Sequence, residues 1–203
     1  MKTADSAALP DPADWPEEIR AACRPRSVAA GEVLARVNAA PKAMFFVQGG
    51  ELQLVRHGLD GQPLVLQRVR RGWAAEASLF STHYHCELVA AQPTALVQVP
   101  MPALRQALAT SPRFAAYWIL QLSTELRGLR ARCERLALRR ADDRIVHAIE
   151  LEGTGGRLTL TTSLKDWAAE LGLTHEALYR GLARLERSGR LRRQGRALSL
   201  RKA

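Results

Sequence analysis

Two groups of residues near the carboxyl end of the chain have the types and spacing needed to contact nucleic acid. The first is the segment Ser163–Gly189, in which apolar residues recur at helical spacing on both sides of Gly172. Glycine fits a break between two short helices because it adopts left-handed backbone without a Cβ clash. Thr174 is placed to cap the second helix with its hydroxyl. This pattern predicts a helix-turn-helix, whose second helix enters the major groove of DNA.

The second group is a strongly basic segment that follows these helices. The chain has a formal net charge of +10, and from position 180 onward nine cations stand against a single carboxylate. Leucines and arginines on either side of Gln194-Gly195 predict a β-hairpin. Such a hairpin lays Arg192, Arg193 and Arg196 near phosphates, where release of counterions drives binding. The alternative is a solvated basic surface that serves only solubility.

Composition restricts the class of protein. With 203 residues, 47% of them hydrophobic, the chain can form one large core or two small ones. No apolar run approaches the roughly 20 residues that a membrane span needs, and the first residues lack the pattern of a secretory signal. Three widely spaced cysteines argue against a disulfide framework. We therefore expect a cytoplasmic protein without a membrane partner, with residues 1–15 flexible.

Short apolar segments separated by Gly or Pro dominate residues 26–100. Their glycines recur at roughly the 8–12-residue spacing of turns in an all-β barrel or jelly roll. A short helix near Asp14–Cys23 is expected to precede them. The predicted strands are Glu32–Val37, Ala43–Val47, Glu51–Arg56, Leu64–Val69, His85–Ala90 and Ala95–Val99.

A long helix is predicted after Pro112. From Ala115 onward, apolar residues step alternately by four and three positions, the spacing of a coiled-coil seam. The seam residues are Ile119, Leu122, Leu126, Leu129, Cys133 and Leu136. Beside a helix-turn-helix, this seam favours a parallel dimer, because palindromic DNA sites mirror two-fold symmetry. The alternative is a helix packed on its own β-domain.

Cys133 has two interpretations on this seam. In a parallel dimer it faces the same residue of the second copy, which would allow an intersubunit disulfide under oxidation. The alternative is an inert buried thiol. After the seam, a helix over Ala141–Leu151 and a strand over Arg157–Thr161 are expected to lead into the helix-turn-helix.

A Gly-punctuated β-roll, a long helix and a winged helix, in that order, resemble the Crp/Fnr family of bacterial transcription regulators. The resemblance is carried by AAGEVLARVNAAPKAMFFVQGGELQLVR, RRGWAAEASLF, RADDRIVHAI and LGLTHEALYRGLARLERSG. It implies an α+β chain with a jelly-roll sensor domain over 16–108, a dimerisation helix over 111–138 and a winged helix-turn-helix over 140–203. It also implies a homodimer on double-stranded pseudo-palindromic DNA, with RNA polymerase as a partner.

The resemblance further implies which residues read DNA. The family's Arg-Glu-x-x-x-Arg face matches His175, Glu176 and Arg180, with His175 departing from the usual Arg. Glu176 can accept a hydrogen bond from cytosine N4, and Arg180 can bind guanine O6 and N7. The alternative for these two is an ordinary i,i+4 ion pair. The predicted DNA contacts are Thr174, His175, Glu176, Tyr179, Arg180 and Arg184 on the helix and Arg192, Arg193 and Arg196 on the hairpin.

The cyclic-nucleotide pocket of the family is altered in this sequence. Members that bind cAMP hold the ribose with Gly-Glu and the phosphate with Arg-Ser/Thr, whereas here Ala75 precedes Glu76 and Cys86-Glu87 occupies the second pair. A thiol and a carboxylate supply no cation for a phosphate. The resemblance therefore predicts a small-molecule signal other than cAMP, and no cofactor is identified. The pocket candidates are Glu76, Ala77, Cys86, Glu87, Leu129 and Arg130.

The run His83–Glu87 leaves three interpretations open: surface histidines beside a buried Cys86, a redox or small-molecule role for Cys86, or a metal or haem site. On a strand, His83 and His85 point away from Cys86, so one strand cannot aim all three at one ion. No metal site is therefore assigned.

No grouping of a nucleophile with a base appears, so we expect no enzyme. Two other functions stay open: a ligand-independent DNA-binding regulator whose roll is only a scaffold, and a cyclic-nucleotide-binding regulatory protein with no DNA role.

Overall fold

The computed structural model of the protein describes residues 12–58, 61 and 63–201. These residues fall into two compact units, one ending at Leu122 and the other beginning at Ser123. Residues 1–11, part of the N-terminus predicted to be flexible, lie outside the described residues. Among the helices that the structure describes, none has the length and apolar character needed to cross a membrane.

Among its described residues, the first unit contains eight strands and three α-helices, and the third helix, α3, continues into the second unit. The helices are α1 (Glu17–Ala22), α2 (Met101–Thr110) and α3 (Pro112–Ala137). The strands are β1 (Arg24–Val28), β2 (Val33–Ala35), β3 (Ala43–Gly49), β4 (Leu52–His57), β5 (Pro63–Val69), β6 (Gly72–Ala74), β7 (Glu87–Ala90) and β8 (Thr94–Pro100).

The strands form two four-stranded antiparallel sheets, in the orders β1-β8-β3-β6 and β2-β7-β4-β5. The predicted jelly roll is therefore confirmed, although two strands were missed. β1 has four exposed residues out of five, so it lacks an apolar signal. β6 has only three residues, so its period cannot be detected. The predicted strand from His85 begins instead at Glu87.

Trp15 corrects the prediction of a flexible start. Its side chain is 3% exposed and stacks on Trp73 with ring centroids 4.9 Å apart, while Phe46 meets it edge-on at 5.1 Å. Aromatic pairs at such distances add to the energy of burial. The chain is thus anchored to the core of the roll from Trp15 onward.

The second unit is a winged helix-turn-helix. Its helices are α4 (Ala141–Glu152), α5 (Leu164–Glu170) and α6 (His175–Arg187), and its strands are β9 (Arg157–Thr159), β10 (Leu191–Gln194) and β11 (Ala197–Leu200). The strands form one antiparallel sheet in the order β10-β11-β9. Its core joins side chains from α4, α5, α6 and the hairpin, among them Ile145, Trp167, Leu182 and Leu198.

The contact between α4 and α6 is unusually close at Gly181. A Cβ added there would lie 2.7 Å from Cδ1 of Ile145 and 3.2 Å from Oδ1 of Asp142. A side chain at this position would displace the end of the buried Ile145 side chain and crowd the Asp142 carboxylate. Glycine therefore fits this close packing, although it is a poor helix former.

An ion pair closes the same contact. Arg184 on α6 donates to both oxygens of Asp142 on α4, at 2.6 and 3.1 Å. The Asp142 side chain is only 10% exposed. These hydrogen bonds from Arg184 hold the pKa of Asp142 below its usual range, against the opposing effect of burial.

The close contact gives a test by glycine substitution. We expect Gly181→Ala to destabilise the protein by about 1–3 kcal/mol through overpacking, despite the better helix propensity of alanine. The matched control is Gly128→Ala on α3, where an added Cβ meets nothing within 4 Å. That control should stabilise the protein by about 0.5–1 kcal/mol. Urea unfolding followed by circular dichroism measures both, and a stabilising Gly181→Ala would contradict the close packing.

The ion pair predicts a pH dependence of stability. Because the pKa of Asp142 is lowered in the folded state, the pair stabilises the protein above the unfolded pKa of about 3.9 and loses this effect as pH falls through the folded pKa. Asp142→Asn should therefore lower the free energy of unfolding at neutral pH. The difference from the wild type should shrink below about pH 4. A difference that stays constant from neutral to acidic pH would contradict the assignment.

Candidate nucleic-acid interface

Helix α6 has two chemically different faces. Leu178, Gly181, Leu182 and Leu185 are buried against the core of the second unit. The opposite face is exposed and polar, which leaves its side chains available for a partner. A helix with one buried and one charged face is oriented by its apolar side alone, so the packing decides which residues face outward.

The start of α6 confirms the predicted cap. The Thr174 hydroxyl accepts a hydrogen bond from the Ala177 amide at 3.1 Å. Gly172, in the turn between α5 and α6, has a φ of +64°. Residues other than glycine rarely adopt this left-handed backbone conformation. An added Cβ at Gly172 would also lie 2.5 Å from Cδ2 of Leu136, so this turn packs directly on the end of α3.

Four side chains form the outward face at the amino end of α6: His175, Glu176, Tyr179 and Arg180, which we call the α6 reading face. The rings of His175 and Tyr179 meet edge to face, with centroids 4.6 Å apart. Arg180 donates to Glu176 at 2.7 Å, and both side chains are more than 60% exposed. The alternative i,i+4 ion pair therefore does form in the free protein. An exposed pair of this kind contributes little stability, so exchanging one partner costs little.

Arg184, one of the predicted DNA contacts, lies where α6 packs on α4. Its Nε and Nη2 donate to Asp142, and its side chain is 45% exposed. A bidentate guanidinium–carboxylate pair has defined geometry and is not readily exchanged. We therefore assign Arg184 to the packing of α6 on α4. The sequence could not predict this ion pair, because Asp142 and Arg184 are 42 positions apart.

The basic hairpin forms the wing. β10 and β11 pair with Leu191 opposite Leu200 and Gln194 opposite Ala197, and the turn contains Gly195 with a φ of +59°. Leu191 and Leu198 are buried and fix the hairpin to the core. The three predicted phosphate contacts are all exposed: Arg192, Arg193 and Arg196. The wing therefore presents cations on a rigid support.

Arg144 is a structural residue that the sequence reasoning missed. Its guanidinium donates to the carbonyl oxygens of Leu138 at 2.8 Å and Gly172 at 2.8 Å, and also to those of Leu136 and Leu171. These are carbonyls at the ends of α3 and α5, which lack partners within their own helices. One side chain thus ties the end of α3 to the helix-turn-helix.

The predicted seam lies along one exposed stripe of α3. Ile119, Leu122, Leu126, Leu129 and Leu136 are between 39% and 64% exposed, which is high for leucine and isoleucine in a folded chain. Cys133 is exposed on the same stripe. Arg130, a pocket candidate like Leu129, is also exposed. These residues do not pack on the β-domain of their own chain, which was the alternative interpretation of the seam.

In the roll, the pocket candidates do not all face one way. Cys86 is buried and adjoins the end of the β4–β7 ladder, whose last pair is Val55 and Glu87. Glu87 is the neighbouring residue and lies 3.5 Å from Arg36. Cys86 lies in a bend before β7 and is buried, whereas Glu87 begins the strand and is half-buried.

Burial raises the pKa of the Cys86 thiol, and two charged neighbours modify it. The Arg56 guanidinium lowers that pKa, and the Glu76 carboxylate raises it. Val55 pairs with Glu87, so Arg56 follows in β4 across from Cys86, and the sequence analysis did not identify this cation. Glu76 begins a short 3-10 helix whose preceding residue, Ala75, has a φ of +69°, and Ala77 is exposed within it. A glycine would adopt this backbone without strain.

The histidine run does not gather ligands. His83 contacts the Thr82 hydroxyl at 2.9 Å, and His85 contacts the Ser78 hydroxyl at 3.4 Å. Among the described residues, no group of three or more His, Cys, Asp or Glu side chains is placed to hold a metal ion. The buried Cys86 fits the interpretation of a small apolar side chain.

Comparison with known protein families gives a match in the β-roll. Residues 25–111 match the family model described as the cyclic nucleotide-binding domain. A search of curated protein sequences found no match.

Solved structures match over most of the chain. The c-di-GMP responsive global regulator CLP of Xanthomonas campestris is 23% identical, with a TM-score of 0.64 over 92% of this chain and 98% of that one. FixK2 of Bradyrhizobium japonicum is 21% identical, with a TM-score of 0.66 over 89% and 93%. A CRP/FNR-family transcriptional regulator of Thermus thermophilus is 25% identical, with a TM-score of 0.57 over 88% and 94%.

These matches agree with the order of elements along the chain. Residues 25–111 match the cyclic nucleotide-binding domain family, and between 88% and 92% of the chain shares its fold with the solved regulators, among them a member of the CRP/FNR family, which confirms the resemblance predicted from its sequence.

Proposed function

We propose that the protein is a sequence-specific DNA-binding transcription regulator that acts as a homodimer and is controlled through its β-roll. The observation that carries the proposal is the α6 reading face, held outward by buried packing and flanked by a basic wing. Side chains of this kind match the hydrogen-bonding groups of base edges in the major groove. A net charge of +10 supplies the attraction to phosphates.

The reading face assigns a chemical role to each residue. Glu176 accepts from the N4 amino group of cytosine, and Arg180 donates two hydrogen bonds to guanine. In the free protein these two side chains hold each other, so each has a partner until the bases replace it. His175 and Tyr179, packed edge to face, contact the flanking base or phosphate. The Thr174 hydroxyl caps α6 and lies at the same end.

The wing has a different role. Arg192, Arg193 and Arg196 contact phosphates, and such contacts set the register of the protein on the duplex without reading sequence. The DNA interface therefore separates into base contacts from α6 and backbone contacts from the hairpin. The two classes respond differently to substitution, which makes the division testable.

The exposed stripe of α3 supports dimerisation. Six apolar or thiol side chains at heptad spacing are exposed to water in the single chain, and a second copy of α3 would cover them. A two-fold dimer carries two α6 helices onto half-sites about one DNA turn apart. RNA polymerase is the proposed partner of the DNA-bound dimer.

The signal is proposed to be a small molecule other than cAMP that binds beside Glu76 and Cys86. Ala75 replaces the glycine of cAMP-binding members, and no Arg-Ser/Thr pair follows. Arg56, which lies across from Cys86 in the β4–β7 register, is the cation that we propose for this site. Arg144, which ties the end of α3 to the helix-turn-helix, is the residue through which we propose that a change in α3 reaches α6.

Substituting the base-reading arginine tests the assignment. After a duplex has been selected from a random library, Arg180→Ala should lose about 1–3 kcal/mol of discrimination between that duplex and a scrambled one. Fluorescence anisotropy measures both affinities. The matched control is Arg113→Ala, which removes the same charge from an exposed position on α3. Arg180→Ala with undiminished discrimination would contradict the reading face.

The wing gives a contrasting result in the same assay. Arg193→Ala should weaken binding to selected and scrambled duplexes alike and lower the slope of log affinity against log salt by about 1. A loss confined to the selected duplex would show that Arg193 reads bases.

A charge on the seam tests the dimer. Leu126→Glu should weaken dimerisation by about 3 kcal/mol or more, because each copy would bury an unpaired carboxylate. Leu120→Glu is the matched control, since Leu120 is a similarly exposed leucine of α3 that lies off the seam. Sedimentation velocity should find a monomer for Leu126→Glu and a dimer for the control. A dimer in both, with DNA binding intact, would place the interface elsewhere.

A further inference from the structure

A cavity opens in the roll, apart from the residues proposed to bind the signal. It has a volume of about 590 Å³ and lies between β2 and β3, under the loop that joins them. None of Glu76, Ala77, Cys86 and Glu87 lines it. Pockets for small organic ligands have volumes of roughly 300–1,000 Å³, so this one has the size of a binding site.

The floor of the cavity is apolar and built mostly from small residues. Ala35 and Ala43 face it from β2 and β3, and the buried ring of Phe45 closes its base. Ala39 and Ala40 line it from the connecting loop. Alanines leave space that larger side chains would fill, so the room for a ligand is encoded in the residue types.

Tyr84 fixes the wall on the loop side. Its amide donates to the Ala39 carbonyl at 2.9 Å, and its own carbonyl accepts from the Asn38 amide at 2.8 Å. Its hydroxyl donates to the carbonyl of Ala43. A side chain held at both ends loses little further freedom when a ligand arrives, so the cavity is formed in advance.

The rim is positively charged. Arg26, Arg36 and Lys42 line the cavity, and among the described residues no carboxylate does. Arg26 is held in place by Glu32 at 2.6 Å and by Gln98 at 3.2 Å, which leaves other N–H groups of its guanidinium available. Lys42 is exposed and forms no ion pair within the part of the chain that the structure describes.

From these features we propose that the cavity binds an organic anion with an apolar body, such as a carboxylic acid carrying an aliphatic chain. The anionic group would lie at Lys42, and the apolar part would cover Phe45 and the alanines. A small inorganic anion would leave the apolar floor in water, and an uncharged apolar molecule would leave the cationic rim unpaired. The two halves of the site therefore specify an amphipathic acid.

The first arm of the test compares three probes by isothermal titration calorimetry of the full chain without DNA. Octanoate has both features, acetate lacks the apolar body, and 1-octanol lacks the charge. We expect octanoate to bind at least about tenfold more tightly than either of the others, since each CH₂ buried contributes about 0.8 kcal/mol. Equal binding of octanoate and acetate, or no binding of octanoate, would overturn the proposal.

The second arm locates the bound octanoate. Lys42→Met removes the unpaired cation, and Ala40→Trp fills the cavity from an exposed loop position without touching the core. Each should weaken octanoate binding by about tenfold or more. The matched controls are Lys165→Met and Ala30→Trp, which make the same changes at exposed positions outside the cavity, and both should bind as the wild type does. Binding that survives both cavity variants would overturn the assignment.

Discussion

The contact between α6 and α4 fixes which side chains the second helix of the motif presents to solvent. A Cβ added at Gly181 would lie 2.7 Å from the end of the Ile145 side chain, and three leucines of α6 are buried in the core of the same unit. The Arg184–Asp142 pair then sets the rotation of α6 about its axis. With that rotation fixed, the α6 reading face points away from the core.

Electrostatics divides the arginines of this unit into two groups. Arg144 donates hydrogen bonds to backbone carbonyls, and Arg184 donates to the carboxylate of Asp142. Arg180 and the wing arginines remain exposed. The Glu176–Arg180 pair is intermediate between these groups. Arg180 is bonded to Glu176 in the free protein, but the pair is exposed, so replacing it by contacts with a partner costs little free energy. Such a pair suits a surface that must be stable alone and specific when bound.

Local signals in the sequence predicted the local structure well. Thr174, Gly172 and the hairpin around Gly195 depend on backbone conformation and short-range hydrogen bonds, so residue types alone identify them. The seam of α3 followed from its period, and its exposure agrees with that interpretation.

Contacts between distant residues were not predictable in this way. Nothing in the residues around Asp142 indicates that Arg184 pairs with it, and Arg56 comes to Cys86 only through the pairing of β4 and β7. The burial of Trp15 depends on Phe46 and Trp73, which stand far along the chain. The strands β1 and β6 are held by their neighbours in the sheet and not by their own composition. Long-range packing supplied these features.

Footprinting of the protein side chains tests the central claim most directly. Hydroxyl-radical oxidation, read by mass spectrometry, reports how accessible His175 and Tyr179 are with and without a selected duplex. Their oxidation rates should fall several-fold on DNA binding, while His57, exposed at the end of β4, should react at an unchanged rate. If His175 and Tyr179 stay equally reactive in a saturated complex, then α6 does not face the DNA and the account is wrong.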